Sequence, residues 1–171
     1  MKRLLQLTLV LLITAGLTTV ANAQQTASDN ITASATIQSS VTLTGTQNLD
    51  FGTVPSGSAT PIAYDEANAG IFTVQGNESV SLSFSLPNNL ANNSSSTTMP
   101  INFGSTDAAW SDDGTNYNVF DPSGSADIDL WDSSVSSDGN VSVYIGGEVN
   151  PAANQEAGTY EGTIVLTASY N

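Results

Sequence analysis

Cysteine and histidine are absent from the 171 residues, and the only two basic side chains are Lys2 and Arg3. Each absence removes a class of chemistry. Without Cys there is no disulfide, so an exported fold of this composition must rest on burial and on its hydrogen-bond ladder. Without Cys or His there is no thiolate or imidazole to ligate a metal, and no Ser-His or Cys-His pair to make a nucleophile. Past residue 3 no Lys remains for a Schiff base and no Arg for a guanidinium clamp on phosphate. Carboxylate chemistry of the glycosidase or aspartic-protease kind is what is left, yet no Asp-Thr-Gly or Asp-Ser-Gly triplet occurs. The expectation is a protein that is not an enzyme and needs no cofactor.

The scarcity of cations also sets the charge. Sixteen Asp and Glu stand against two Lys and Arg, a formal net charge of −14. Both cations belong to what reads as a secretory leader: charged Lys2-Arg3, a largely apolar run from Leu4 to Val20, then Ala21-Asn22-Ala23 as a cleavage site. The apolar run is too short to span a membrane convincingly, and no Cys follows it to carry a lipid anchor. Removing residues 1–23 from 171 leaves 148, an ordinary size for one domain, and moves the charge from −14 to −16. Every carboxylate then lacks a side-chain cation. Such a chain repels nucleic acid and anionic lipid, so neither is an expected partner, and no membrane insertion is expected after cleavage. The expected location is the periplasm, the cell surface or the medium.

What the chain does have is a period of two. Ile31, Ala33, Ala35 and Ile37 alternate with small polar residues, and Val41 and Leu43 continue the same parity. Val80, Leu82, Phe84 and Leu86 alternate with serines before Pro87; Phe72 with Val74, Met99 with Ile101 and Phe103, and Val141 with Val143 and Ile145 repeat the pattern. Alternation of this kind marks strands with one buried face. Ile128 and Leu130 suggest a brief edge strand, while residues 88–98, 104–127 and 149–157 read as loops from their Asn, Ser, Asp, Gly and Pro content. No helical period runs over three turns. Short strands between turn signals predict an all-β antiparallel sandwich over residues 31–171, preceded by a short polar segment, 24–30.

The last block, Gly158 to Asn171, reads G-T-Y-E-G-T-I-V-L-T-A-S-Y-N. Gly158, Tyr160, Gly162, Ile164, Leu166, Ala168 and Tyr170 share one face of an extended strand. A terminal strand opened by Gly and closed by a penultimate Tyr resembles the C-terminus of secreted fimbrial subunits, where an assembly chaperone binds by strand addition. L-D-F-G (49–52), S-F-S-L-P (83–87), M-P-I-N-F (99–103) and the block from Ile145 to Tyr170 occur in this order. Together they resemble a family of secreted bacterial domains of unknown function that looks related to spore-coat-U-type and fimbrial pilin domains. The resemblance implies an immunoglobulin-like, pilin- or adhesin-type sandwich on the cell surface with no known enzymatic activity. The Cys pair of many pilins is missing, so disulfide-dependent folding of that kind does not carry over.

Two functions are expected from this. One is a structural or adhesive subunit that holds like subunits, or a periplasmic chaperone, by strand exchange; Ile31, Ala33, Ala35 and Ile37 would then be the donated segment, and the subunit's own first strand would start near Val41. The other is a self-contained binding module with a Ca²⁺ or carbohydrate site around residues 104–138. Asp112, Asp113, Asp127, Asp129 and Asp132 are its candidate cation ligands, although Asp is equally a turn residue. Trp110, Tyr117, Phe120 and Trp131 are its candidate sugar platform, or the filling of a satellite core.

Overall fold

Alternating apolar residues demand a dry face, and the protein supplies it by laying sheets against one another. The computed structural model describes residues 29–136 and 138–171. These form thirteen strands and no helix, and every strand pair is antiparallel. The compact unit that holds them runs from Ile37 to Asn171. The leader and its cleavage site lie outside the described residues.

The first sheet contains β1 (Val41–Gln47), β3 (Gly70–Gly76), β10 (Asn140–Ile145), β7 (Ala108–Ser111) and β8 (Asn118–Phe120), in that order across the sheet. A three-stranded sheet, β13 (Val165–Tyr170), β4 (Ser79–Ser85) and β9 (Ser125–Asp129), covers it. Their inward faces share one core. Val74, Val141 and Val143 come from the first sheet, and Val80, Leu82, Ile128 and Leu166 from the second. Phe72 of β3 meets Phe84 of β4 edge-on at 6.0 Å, and Phe84 stacks on Phe120 of β8 at 6.2 Å. This is a β-sandwich. Its inner face is the one that alternation marks.

A second five-stranded sheet lies at the far end of the same unit: β12 (Tyr160–Glu161), β5 (Asn89–Asn92), β6 (Thr98–Asn102), β11 (Gly147–Val149) and β2 (Thr60–Ile62). Leu90, Met99, Ile101 and Val149 form its smaller core. The chain reaches it by continuing strands of the main sandwich. β10 passes into β11 at Gly146, and β4 passes into β5 across Leu86-Pro87-Asn88, because Pro87 has no N–H for a ladder.

Three segments expected to be loops contain strands. Asn89–Asn92 is β5, paired with β6 and β12; Ala108–Ser111 and Asn118–Phe120 are β7 and β8; and Val149 closes β11. Each offers from one to three apolar residues, without an alternating period. The partner strands recruit them. The edge strand expected at Ile128 and Leu130 is β9, with Leu130 just beyond its end and fully buried.

Candidate functional site

The C-terminal block is one strand in parity and two in pairing. Tyr160 pairs with Asn92 of β5, while Val165 through Tyr170 pair with Ser85 through Val80 of β4. Between them Gly162, Thr163 and Ile164 belong to no strand. Alternation nevertheless survives the break. Leu166 is 4% exposed, Tyr160, Ile164 and Ala168 are half-buried, and Glu161, Thr163, Val165, Thr167 and Ser169 face out. Gly158 and Gly162 on the inner parity are exposed, and so is Tyr170, at 42%, where the core has ended.

Two glycines of this block lie in close approach to side chains of β5. A Cβ on Gly158 would lie 2.5 Å from Nδ2 of the buried Asn92, and one on Gly162 would lie 2.7 Å from Cδ2 of Leu90. Tyr160 sits between them and ties down the preceding loop. Its hydroxyl donates to the Glu156 carbonyl at 2.7 Å and accepts from Gln155 Nε2 at 2.7 Å. The Thr97 hydroxyl beside it, at 3.3 Å, draws the phenol below its ordinary pKa. Gln155 in turn donates to the Thr98 carbonyl of β6. The G-T-Y-E-G sequence is thus a packed corner, with close contacts at Gly158, Tyr160 and Gly162.

Beside this corner lies an open groove of about 1110 Å³. One wall is residues 47–54, which continue beyond β1 without joining any sheet; the other is residues 155–164. Its apolar lining includes Leu49, Phe51, Val54, Phe72 and Ile164, all half-buried, above the buried Leu90, Met99, Ile101 and Ile145. Thus L-D-F-G, which stands out in the sequence only as part of a resemblance, is a groove wall. A bulge between Gly45 and Gln47 breaks the odd parity of Val41 and Leu43, which pack against the main core, while Leu49 and Phe51 pack against the smaller one.

Ile31, Ala33, Ala35 and Ile37 form no strand. Ile31 is 98% exposed and Ile37 85%. Order in the compact unit begins just after them. The Gln38 carbonyl accepts from Asn77 Nδ2 at 3.2 Å, and the Ser40 N–H donates to Asn77 Oδ1 at 2.9 Å. β1 then starts at Val41.

The acidic loop residues are occupied as turn acceptors. Asp113 Oδ1 takes the backbone N–H groups of Thr115 and Asn116, both at 2.8 Å, and the Ser111 hydroxyl at 3.0 Å, while Oδ2 takes Asn116 Nδ2 at 2.6 Å. These bonds, that from the Asn116 N–H foremost, hold its carboxyl far below the ordinary range. Asp132 accepts from the Ser134 N–H and hydroxyl, and Asp129 from the Ser79 hydroxyl. Asp112 and Asp127 are exposed. Among the described residues no three carboxylates are gathered as a metal ion would need.

The four aromatics of the same region go to different places. Trp110 and Phe120 pack against the main core. Tyr117 sits edge-on between Tyr64 at 5.3 Å and Tyr144 at 5.2 Å, and donates its hydroxyl to the Gly114 carbonyl. Burial first, then neighbouring Tyr144, pushes its phenol pKa up. Trp131 is 63% exposed, with its indole N–H on the Ser79 hydroxyl at 3.2 Å. Trp110 and Phe120 are thus half-buried against the main core.

No curated protein gives a significant match to this chain. Residues 30–170 match the family described as Domain of unknown function (DUF4402), which spans the whole sandwich together with the exposed segment before it. The chain belongs to that family.

Proposed function

We propose that this chain is an exported, non-catalytic structural or adhesive subunit of a bacterial cell surface that holds like subunits by β-strand exchange. One observation carries the reading. A seven-residue alternating apolar segment, Ile31 to Ile37, is left outside every sheet and exposed at both of its isoleucines. Exposed isoleucine costs solubility unless a partner covers it, and an alternating segment is what a partner sheet accepts.

The finer fold reading, an immunoglobulin-like sandwich of pilin or adhesin type, draws support from Tyr160. Its hydroxyl bonds the backbone four residues upstream at the entry to the last long strand, as a tyrosine corner does in such sandwiches. The lack of Lys, His and Cys in the exported portion supports the non-catalytic reading.

The test is association. Sedimentation velocity on the exported chain should show concentration-dependent oligomers, and Ile31→Asp with Ile37→Asp should abolish them without lowering the thermal midpoint. Both side chains are exposed, so the variant has no reason to unfold. A chain that stays monomeric at all concentrations would refute the subunit reading.

A further inference from the structure

From the same geometry we infer that the groove between residues 47–54 and 155–164 is the acceptor for Ile31–Ile37 of a second copy of this chain, a step that rests on the subunit reading. The groove has the form of a missing strand. Its two walls leave the sheets just where it begins: Asn48 to Thr53 follows β1 without a ladder, and Gly162 to Ile164 interrupts the last strand. In the first wall the N–H groups of Asp50 and Gly52 are taken, by the Asn68 carbonyl and the Asp50 carboxylate; the N–H and C=O groups outside the ladders that stay unpaired are open to a new neighbour. Below them the lining is apolar, with Leu49, Phe51, Phe72 and Ile164 each only half covered.

Among the described residues, three of the other sheet edges, β1, β12 and β13, belong to or run directly into the groove walls, and the remaining three are poorer templates. β9 presents Asp127 and Asp129, β8 has three residues, and β2 has three including Pro61. The donor fits the groove in period, length and charge. Its apolar positions recur every second residue, large at Ile31 and Ile37 and small at Ala33 and Ala35, so one face enters the groove while Thr32, Ser34 and Thr36 stay in water. Seven extended residues span roughly 23 Å, comparable with either wall. From Asn30 to Gln38 the segment carries no charge. A strand bearing carboxylates would meet a uniformly acidic acceptor and be repelled.

The test uses the full exported chain carrying Ile31→Asp and Ile37→Asp as acceptor, and a peptide of residues 30–38 as probe. Hydrogen exchange followed residue by residue should show amides of 51, 53, 54 and 162–164 slowing by about tenfold or more when the peptide is added. The same peptide with Asp at both Ile positions should give no protection. Protection at β2, β8 or β9 instead, or along β1 or β13 without the groove amides, or none anywhere, would overturn the groove as acceptor. The subunit reading would still stand if the unsubstituted chain oligomerised. Should the unsubstituted chain show those amides protected even as a dilute monomer, its own segment would fill the groove and exchange between copies would be overturned.

Discussion

Asp113 shows how the described residues, which include no Lys or Arg, dispose of their carboxylates. Its charge is met by N–H and O–H donors of its own turn, from Ser111 to Asn116. Asp121 and Asp132 do the same with Ser123 and Ser134, and all three carboxyls are drawn below their ordinary range. A depressed folded-state pKa contributes stability that is complete above the unfolded value, near 3.8, and is lost as pH falls from there toward the folded value. Asp113→Ala should therefore melt below the unsubstituted protein at pH 7, and the gap in thermal midpoint should narrow steadily below about pH 4. Melting curves of the two proteins across that range check it. At this scale the sequence is only half legible. That Asp favours turns could be read directly, whereas which Asp residues would be gathered or dispersed depended on where the strands carried them.

At the scale of elements, the last strand is the instructive one. Its parity was readable from Tyr160 to Ala168, because alternation is local: each side chain points opposite to its neighbour whatever the partner. The change of partner at Gly162–Ile164 was not readable, since it is imposed from outside. Pro87 interrupts β4 on the facing strand, and Leu90 presses against Gly162. Parity carries a prediction. Leu166→Ala removes a side chain shared by both sheets of the sandwich and should cost about 2–5 kcal/mol in denaturant unfolding. Thr167→Ala, one residue on and facing solvent, should cost less than about 0.5 kcal/mol. Equal losses would mean that the strand is covered on both faces. β5 teaches the converse. Asn89-Leu90-Ala91-Asn92 has a single bulky apolar residue, and becomes a strand because β6 and β12 flank it on both sides.

For the molecule as a whole, like charge is the dominant long-range term. Sixteen acidic side chains and no basic ones follow residue 23, so compaction brings negative charges together with only solvent ions to relieve them. Raising NaCl from low ionic strength to about 1 M shortens the screening length to roughly 3 Å, and the thermal midpoint should rise accordingly. A scan in NaCl with MgCl₂ and CaCl₂ at matched ionic strength checks this, with no advantage expected for Ca²⁺. The dispersed, turn-bonded carboxylates favour general screening over a specific ion. The same repulsion favours an uncharged donor strand for contacts between copies.

By itself, the sequence determined which side chains are inward, which chemistries are missing and how the surface is charged, because composition and parity are properties of the chain before it folds. An all-β antiparallel sandwich follows from those properties with little freedom. Only the tertiary structure decided that Leu49, Phe51 and Ile164 would line one groove, that Ile31 to Ile37 would remain outside the sheets, and that the final strand would divide between two of them. Those outcomes depend on pairing between residues as far apart in the chain as Val80 and Tyr170. Pairing at that distance is selected by shape and register across the whole core, and no local pattern in the chain encodes it.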